Sequence, residues 1–446
     1  MAGESSRAPC QNHFSGMLKT AHWQTVLNTS KNLHEDPYEF FAEMGSQQHF
    51  VFESKKSRLR NFESGGLQLV ISRKNRPETF QSSCLDPDSF LQFFQEASVQ
   101  STQNEKSKPF LALRNNAEQF KRLEQACRRT LLETSAIQDL KVHYQETQRT
   151  YLYGTDRSAL TEGHENFAQI SAQLLLKNET SQRTLTFAQG RTDIDSLMSE
   201  LEKNWFTKKQ IEKALSKPWP CPLGKIPVLW SSKVVAQLAL YSLYQLEYFS
   251  RSPDGFQHYL NQFSRFNFQL IDNWKNTGSV DVEGRPRTET LIFSSQEMPR
   301  RFDQTLAGFS RRASYKEFPI TAPWEPAILG NQRTQNLLGQ LENGISVHEI
   351  DVLSFDIKTG KAQLSIREAA LIHQGLEGEK IEPSELSISI PQVLGSFELF
   401  SDSSSPHPLS WGGVPAHSGL FVEMTAPEAL SSTVDIQGTV PKSYYW

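Results

Sequence analysis

Three His-Glu dipeptides, His34-Glu35, His164-Glu165 and His348-Glu349, begin as a metal-hydrolase motif begins. A hydrolytic zinc centre needs three His, Cys or carboxylate ligands and an open position for water, and peptidases commonly set two His and a general-base Glu on one helix. None of the three dipeptides has a second His four or five positions after the first. The eleven histidines are isolated; the nearest pair, His13 and His22, is nine residues apart. Pro37 follows His34-Glu35 closely, and His348-Glu349 lies in strand-like sequence. Solvated or hydrogen-bonded imidazoles are the expectation for all three.

Other chemistries also lack their usual carriers. There is no GxGxxG after a strand, no GxxxxGK[ST] and no GxSxG elbow, which removes the signals of dinucleotide, P-loop and α/β-hydrolase sites. Cys10, Cys84, Cys127 and Cys221 show no CxxC spacing and read as free thiols in a reducing compartment. Cys127 falls in an amphipathic helix, where a packed thiol is expected. A Cys or Ser such as Cys127 or Ser231 stays open as a nucleophile only if the fold brings a His to it. Arg300-Arg301 and Arg311-Arg312 could hold an anionic group, but paired arginines are expected on a solvated face.

The 446 residues suffice for two or more cores. Hydrophobic residues at 37% and aromatics at 11% predict globular packing. Lys plus Arg number 46 against 50 Asp plus Glu, giving a formal charge of −4, and no long basic tract speaks for nucleic-acid binding. Met1 to Asn32 builds no signal-peptide core, and no apolar run reaches the length of about 18 residues that a membrane span needs. The chain is expected to be cytoplasmic, with no membrane partner.

The elements that must position any site are mixed. His49–Phe52 and Gly66–Ser72 read as strands, the second after a Gly65-Gly66 turn signal. Asp86-Pro87 opens a helix and Ala117 to Glu133 forms another. Ala168, Ile170, Ala172, Leu174 and Leu176, two apart, predict a strand with one face in. Helices are predicted at 194–205 and after Thr207, where Gln210 completes a capping box. The segment 217–227 carries four prolines and a glycine, which bars helix or central strand and marks a domain boundary. A short strand over Val228–Trp230 and a helix over Lys233–Phe249, apolar nearly all round and so buried, come next. Alternation over 347–357, 362–372, 386–390 and 419–424 predicts a largely antiparallel sheet, with Ser401–Pro408 (SDSSSPHP) as an exposed loop. The fold class is therefore α+β: an N-terminal mixed α/β domain, then a C-terminal, mainly antiparallel β domain with a buried helix. The boundaries read as a lead over 1–45, a domain over 46–216, a Pro-rich linker over 217–227 and a β-rich domain over 228–446.

Several strings resemble the TldD/PmbA family in order and spacing: Glu63-Ser64-Gly65-Gly66-Leu67; Pro220 to Trp230; Val282-Glu283-Gly284-Arg285-Pro286 with Leu291-Ile292; Asn343-Gly344-Ile345; Thr359-Gly360; and Glu368 to Gly375. The resemblance runs from about Phe50 to Ile436. In its TldD branch the helix after the short strand carries HExxxH and a late cysteine completes the zinc site. Ungapped register from Val228 places Ala239, Leu240 and Tyr244 at the first His, the Glu and the second His. No Cys follows Cys221, and Ser401 to Gly413 offers Ser, His and Trp instead. The resemblance therefore implies the TldE (PmbA) branch: no catalytic or metal-ligating residue in this chain, zinc in a TldD-like partner, and a heterodimer whose cavity processes unfolded peptides. The alternative is a stand-alone homodimeric peptide-binding or scaffold protein, and a third reading is an enzyme with a non-metal site. The tail Tyr444-Tyr445-Trp446 is expected to anchor the C-terminus or sit in an interface.

Overall fold

The computed structural model describes residues 23–25, 28, 37–53, 55–73, 76–82, 117–132, 135–177, 182–191, 197, 206, 208–216, 218–222, 224–250, 265–272, 280–285, 290–293, 310–312, 320–411 and 420–436. The expected helix at Asp86-Pro87, most of that at 194–205, and the aromatic tail lie outside these residues.

The N-terminal half is an antiparallel meander. Strands β1 (Tyr38–Glu53), β2 (Lys56–Arg73), β3 (Arg76–Ser82), β4 (Ile137–Thr155), β5 (Thr161–Lys177) and β6 (Gln182–Arg191) lie in the order β3-β2-β1-β4-β5-β6. One face carries two apolar clusters, separated by Ser46, Gln48, Glu146 and Gln148. Phe50, Phe52, Val142, Tyr144, Ile170 and Ala172 pack there against α1 (Ala117–Leu132) and Ile211 and Ala214 of α2 (Lys208–Leu215). Phe40, Met44, Leu67 and Leu69 continue the same face under Trp23, whose ring lies 5.3 Å from that of Phe40. The opposite face carries Phe41, Glu43, Gln68, Arg149 and Tyr151, also buried. With both faces of β1 covered, the two-residue alternation is lost from its sequence.

One expectation is corrected here and two are met. Gly65-Gly66 is no turn: β2 runs through both, opposite Met44 and Glu43. The helix after Thr207 is present, and the strand over 168–176 extends to all of β5.

The C-terminal sheet has the order β16-β15-β14-β7-β19-β12-β8-β9, from β7 (Gly224–Trp230), β8 (Phe268–Asp272), β9 (Thr290–Phe293), β12 (Pro326–Gly330), β14 (Asn343–Asp356), β15 (Lys361–His373), β16 (Leu376–Lys380) and β19 (Leu420–Ile436). Strand β17 (Ser384–Ser389) joins β15, β18 (Phe397–Trp411) joins β19 and the short β13 (Arg333–Thr334), and β10 (Ser310–Arg311) pairs separately with β11 (Ile320–Thr321). Most pairs are antiparallel, as expected; β7 with β14 and β12 with β19 are parallel. Helix α3 (Ser232–Ser250) lies in the core, with Val234, Val235, Leu238, Ala239, Leu243 and Leu246 at 1% exposure or less.

Proline placement explains two further differences. β7 is central yet starts at Gly224 and includes Pro227. Pro227 sits where the β19 partnering is interrupted, between Ile226↔Val434 and Val228↔Ser431, so its missing N–H removes no regular rung. The SDSSSPHP segment is part of β18, not a loop. Beyond Ser401 that strand has β19 alone as partner among the described residues, and an edge tolerates Pro406 and Pro408.

Candidate functional site

Helix α3 carries the residues with the strongest claim to a functional place. Ser231 caps it: the Val234 N–H donates to Ser231 Oγ at 3.4 Å, while that hydroxyl donates to the His348 carbonyl at 2.9 Å. Ser231 is thus engaged as a helix cap. Two turns on, Ala239, Leu240 and Tyr244 are all buried. The Tyr244 hydroxyl donates to the Ser410 carbonyl at 2.5 Å, and its ring meets Trp411 edge-on at 4.8 Å. Tyr241 in turn meets Tyr244 and Phe355 edge-on, with ring centres 5.5 Å and 4.8 Å apart. The face of α3 toward β18 is therefore closed by an aromatic seam.

Zinc does not fit this seam. Ala239 and Leu240 have no donor atoms, and the Tyr244 oxygen is bonded to a backbone carbonyl. Among the described residues no three His, Cys, Asp or Glu side chains are grouped to hold a metal.

Near the start of α3, His407 of β18 lies 2.9 Å from Ser232 Oγ. Burial, with Lys233 and Arg191 nearby, pushes its pKa down to about 4, so the ring is neutral. Lys233 pairs with Glu349 at 2.6 Å, and Glu349 also accepts the Thr186 hydroxyl from β6. Glu349 thus ties the two sheets.

The other dipeptides separate likewise. His164 is exposed, 3.3 Å from Glu162 and 3.0 Å from Thr150. His348 Nε2 lies 2.9 Å from Glu377 and 3.0 Å from Ser346 Oγ. His34 lies outside the described residues, as do Cys10, Cys84 and Arg300-Arg301. Burial pushes the Cys127 thiol up to about 12 and raises that of Cys221; neither is poised as a thiolate.

The arginine pair departs most from expectation. Arg311 and Arg312 are 3% and 2% exposed, not solvated. They close the polar face of the N-terminal sheet. Arg311 pairs with Glu165 and donates to the carbonyls of Pro323 and Phe421 at 2.9 and 2.8 Å. Arg312 donates to Gln68 at 2.5 Å, and its own carbonyl accepts a bond from Arg149, which pairs with Glu43. The guanidiniums of Arg311 and Arg312 each lie 4.4 Å from a ring centre, of Trp324 and Phe41 respectively. Burial draws the Arg312 pKa down to about 10 against the pull of Glu39 and Glu283, leaving it charged at neutral pH. Burial opposes the charge of Arg149 too, but Glu43 and Glu165 hold its pKa above the ordinary value.

A turn completes the cover. Asp281 accepts the N–H groups of Glu283 and Arg285, both at 2.9 Å, and Gly284 at φ +72° brings the turn against Thr161 and Tyr153. Val282 packs on Phe41 and Tyr151. The Tyr151 ring lies over Gly163, where a Cβ would fall 2.3 Å from it. Stacking of Phe167 on Phe421, 4.6 Å apart, marks the border of the covered region.

Beyond that border the same face is open. One row crosses the strands as Arg60, His49, Gln145, Gln169 and Gly190, and Pro408 of β18 leans on Gly190. The next row carries Arg58, His143 and Ser171. Of these, His49, Gln145, Gln169, His143 and Ser171 line a slot of about 210 Å³ that Pro408 borders, and Arg58 and Arg60 lie one strand beyond it.

Residues 290–438 match the family model of the PmbA/TldA metallopeptidase C-terminal domain. The fold superposes on TldE from Thermococcus kodakarensis with TM-score 0.74 at 11% identity, covering 93% of this chain and 99% of that one. It also superposes on a protein named as a modulator of a DNA gyrase from Thermotoga maritima, with TM-score 0.71 at 12% identity over 93% and 99% of the two chains. A like-named protein from Bacteroides thetaiotaomicron gives 0.68 at 14% identity over 94% and 98%. At such identities the likeness is one of fold. No curated protein matches the sequence.

Proposed function

We propose that this chain, which belongs to the TldD/PmbA family, is the non-catalytic, TldE-like subunit of a heterodimeric zinc peptidase that processes unfolded peptides. The observation that carries the reading is the α3–β18 seam. Where the family resemblance puts two histidines and a glutamate, this helix presents Ala239, Leu240 and Tyr244, and a tyrosine–tryptophan contact occupies the space beside them. A core closed this way supplies wall and support, while zinc and the general base belong to a TldD-like partner. Among the described residues no helix is long and apolar enough to cross a membrane.

The test is a tagged pull-down from the native cell, with mass spectrometry of co-purifying chains and metal analysis. A stoichiometric partner bearing HExxxH, with about one zinc per pair, is the expected result. A metal-free homodimer would move the assignment to a stand-alone peptide-binding protein, and zinc retained by this chain alone would sink the ligand argument.

A further inference from the structure

The open half of the N-terminal sheet face has the properties of a site. His49 is half-buried at its floor, and its Nε2 is fully enclosed without a hydrogen-bond partner. Burial, then Arg60, lowers the pKa of this ring, so a neutral imidazole meets whatever enters. An enclosed polar atom with no partner costs free energy, which a ligand group recovers once the ring turns that nitrogen toward the slot. Beside it, Gln169 Nε2 donates to Gln145 Oε1 at 3.3 Å. That bond leaves each amide further donor or acceptor capacity facing the slot. Side-chain amides of this kind match the paired donor and acceptor of a peptide group.

Charge decides which peptide. Arg58 and Arg60 are exposed at the β2 end of the two rows, and neither makes an ion pair among the described residues. The neighbouring Lys141 is already held by Glu53 at 2.7 Å. From Pro408 to Arg60 the row crosses five strands, a span of about 19 Å, or about five to six extended residues.

We propose that this open face binds an extended acidic peptide segment of about six residues, its backbone against His49, Gln145 and Gln169 and its carboxylates toward Arg58 and Arg60. The inference rests on the peptide-handling part of the reading above, but its readout is separate. A nucleic-acid strand is disfavoured because no Arg or Lys lines the slot itself, whose floor is neutral amide and imidazole.

Fluorescence anisotropy on the full chain tests it with labelled, end-blocked hexapeptides alternating Glu or Lys with Ser, at low and high salt. The Glu peptide should bind, lose at least about tenfold in affinity with R58E/R60E and weaken with salt. H49A/Q145A should weaken it without changing the salt dependence, and circular dichroism checks that both variants are folded. Equal binding of Glu and Lys peptides, no change with R58E/R60E, or displacement by oligothymidylate more readily than by unlabelled Glu peptide would each overturn the proposal. Those failures leave the pull-down result, and with it the subunit reading, untouched.

Discussion

The polar face of the N-terminal sheet has two ends, built by the same strands with the same alternation. At one end Arg149, Glu43, Glu165 and Gln68 are sealed under the C-terminal half by Arg311, Arg312 and the Asp281 turn. At the other, His49, Gln145 and Gln169 lie half open beneath Pro408. Buried charge survives only with partners, because desolvating an ion costs several kcal/mol; the covered end therefore holds charges whose partners come from the other sheet. Neutral amides tolerate partial exposure, so the open end can wait for a ligand. The lesson is that buried ion pairs mark where this face is closed, and half-exposed amides with exposed arginines where it is available.

Breaking the covered end should have the largest effect. Arg149→Met takes the close counter-ion from buried Glu43, while Glu165 keeps Arg311, and should cost about 3–5 kcal/mol in urea denaturation. A loss below about 1 kcal/mol would mean that the cluster is hydrated like a surface network.

The border is probed by pH. His407 is held neutral with a pKa of about 4 against an unfolded value of about 6.5, so the unfolded chain binds the extra proton. Its stabilising contribution is complete above pH ~6.5 and is lost as pH falls toward ~4, about 3 kcal/mol in all. Urea midpoints measured across that window should fall in the wild type and flatten in His407→Gln.

A smaller loss is expected at the cover itself. Gly284→Ala would force a side chain onto φ +72° and place its Cβ 2.4 Å from Thr161 Oγ1. A cost of about 2 kcal/mol, read by thermal or urea melting, is expected. Least of all, H49A/Q145A should change stability by no more than about 0.5 kcal/mol while weakening peptide binding. If the open-end pair proved as costly as Arg149→Met, the contrast between the ends would collapse.

How much of this the sequence discloses depends on distance along the chain. The buried helix α3, the strand over Ala168–Leu176 and the antiparallel C-terminal strands are legible because periodicity is a local signal. β4 is not, since its inward residues on the polar face, Gln145, Thr147 and Arg149, look like solvent-facing ones. Arg311-Arg312 misleads for the same reason: the partners Glu165 and Gln68 lie 146 and 244 residues earlier. Pro406 and Pro408 signal a loop, and only the edge position of β18 makes them strand residues. The filled seam was half legible. Ala239, Leu240 and Tyr244 could be placed on their helix, but the contact of Tyr244 with Trp411 needed the fold.

The pairing of Glu165 with Arg311 also sets a timetable for biosynthesis. At about 5–20 residues per second, the ribosome needs about 7–30 s to make the intervening stretch, which is 146 residues long. For that interval the nascent meander has its second face uncovered. Had that face been as apolar as the patch around Phe50 and Phe52, it would have been a target for chaperones and for neighbouring nascent chains. Glu43, Arg149 and Glu165 instead keep it hydrated until Arg311 and Arg312 emerge, so the same charges guard the half-made chain and later join it to its second half.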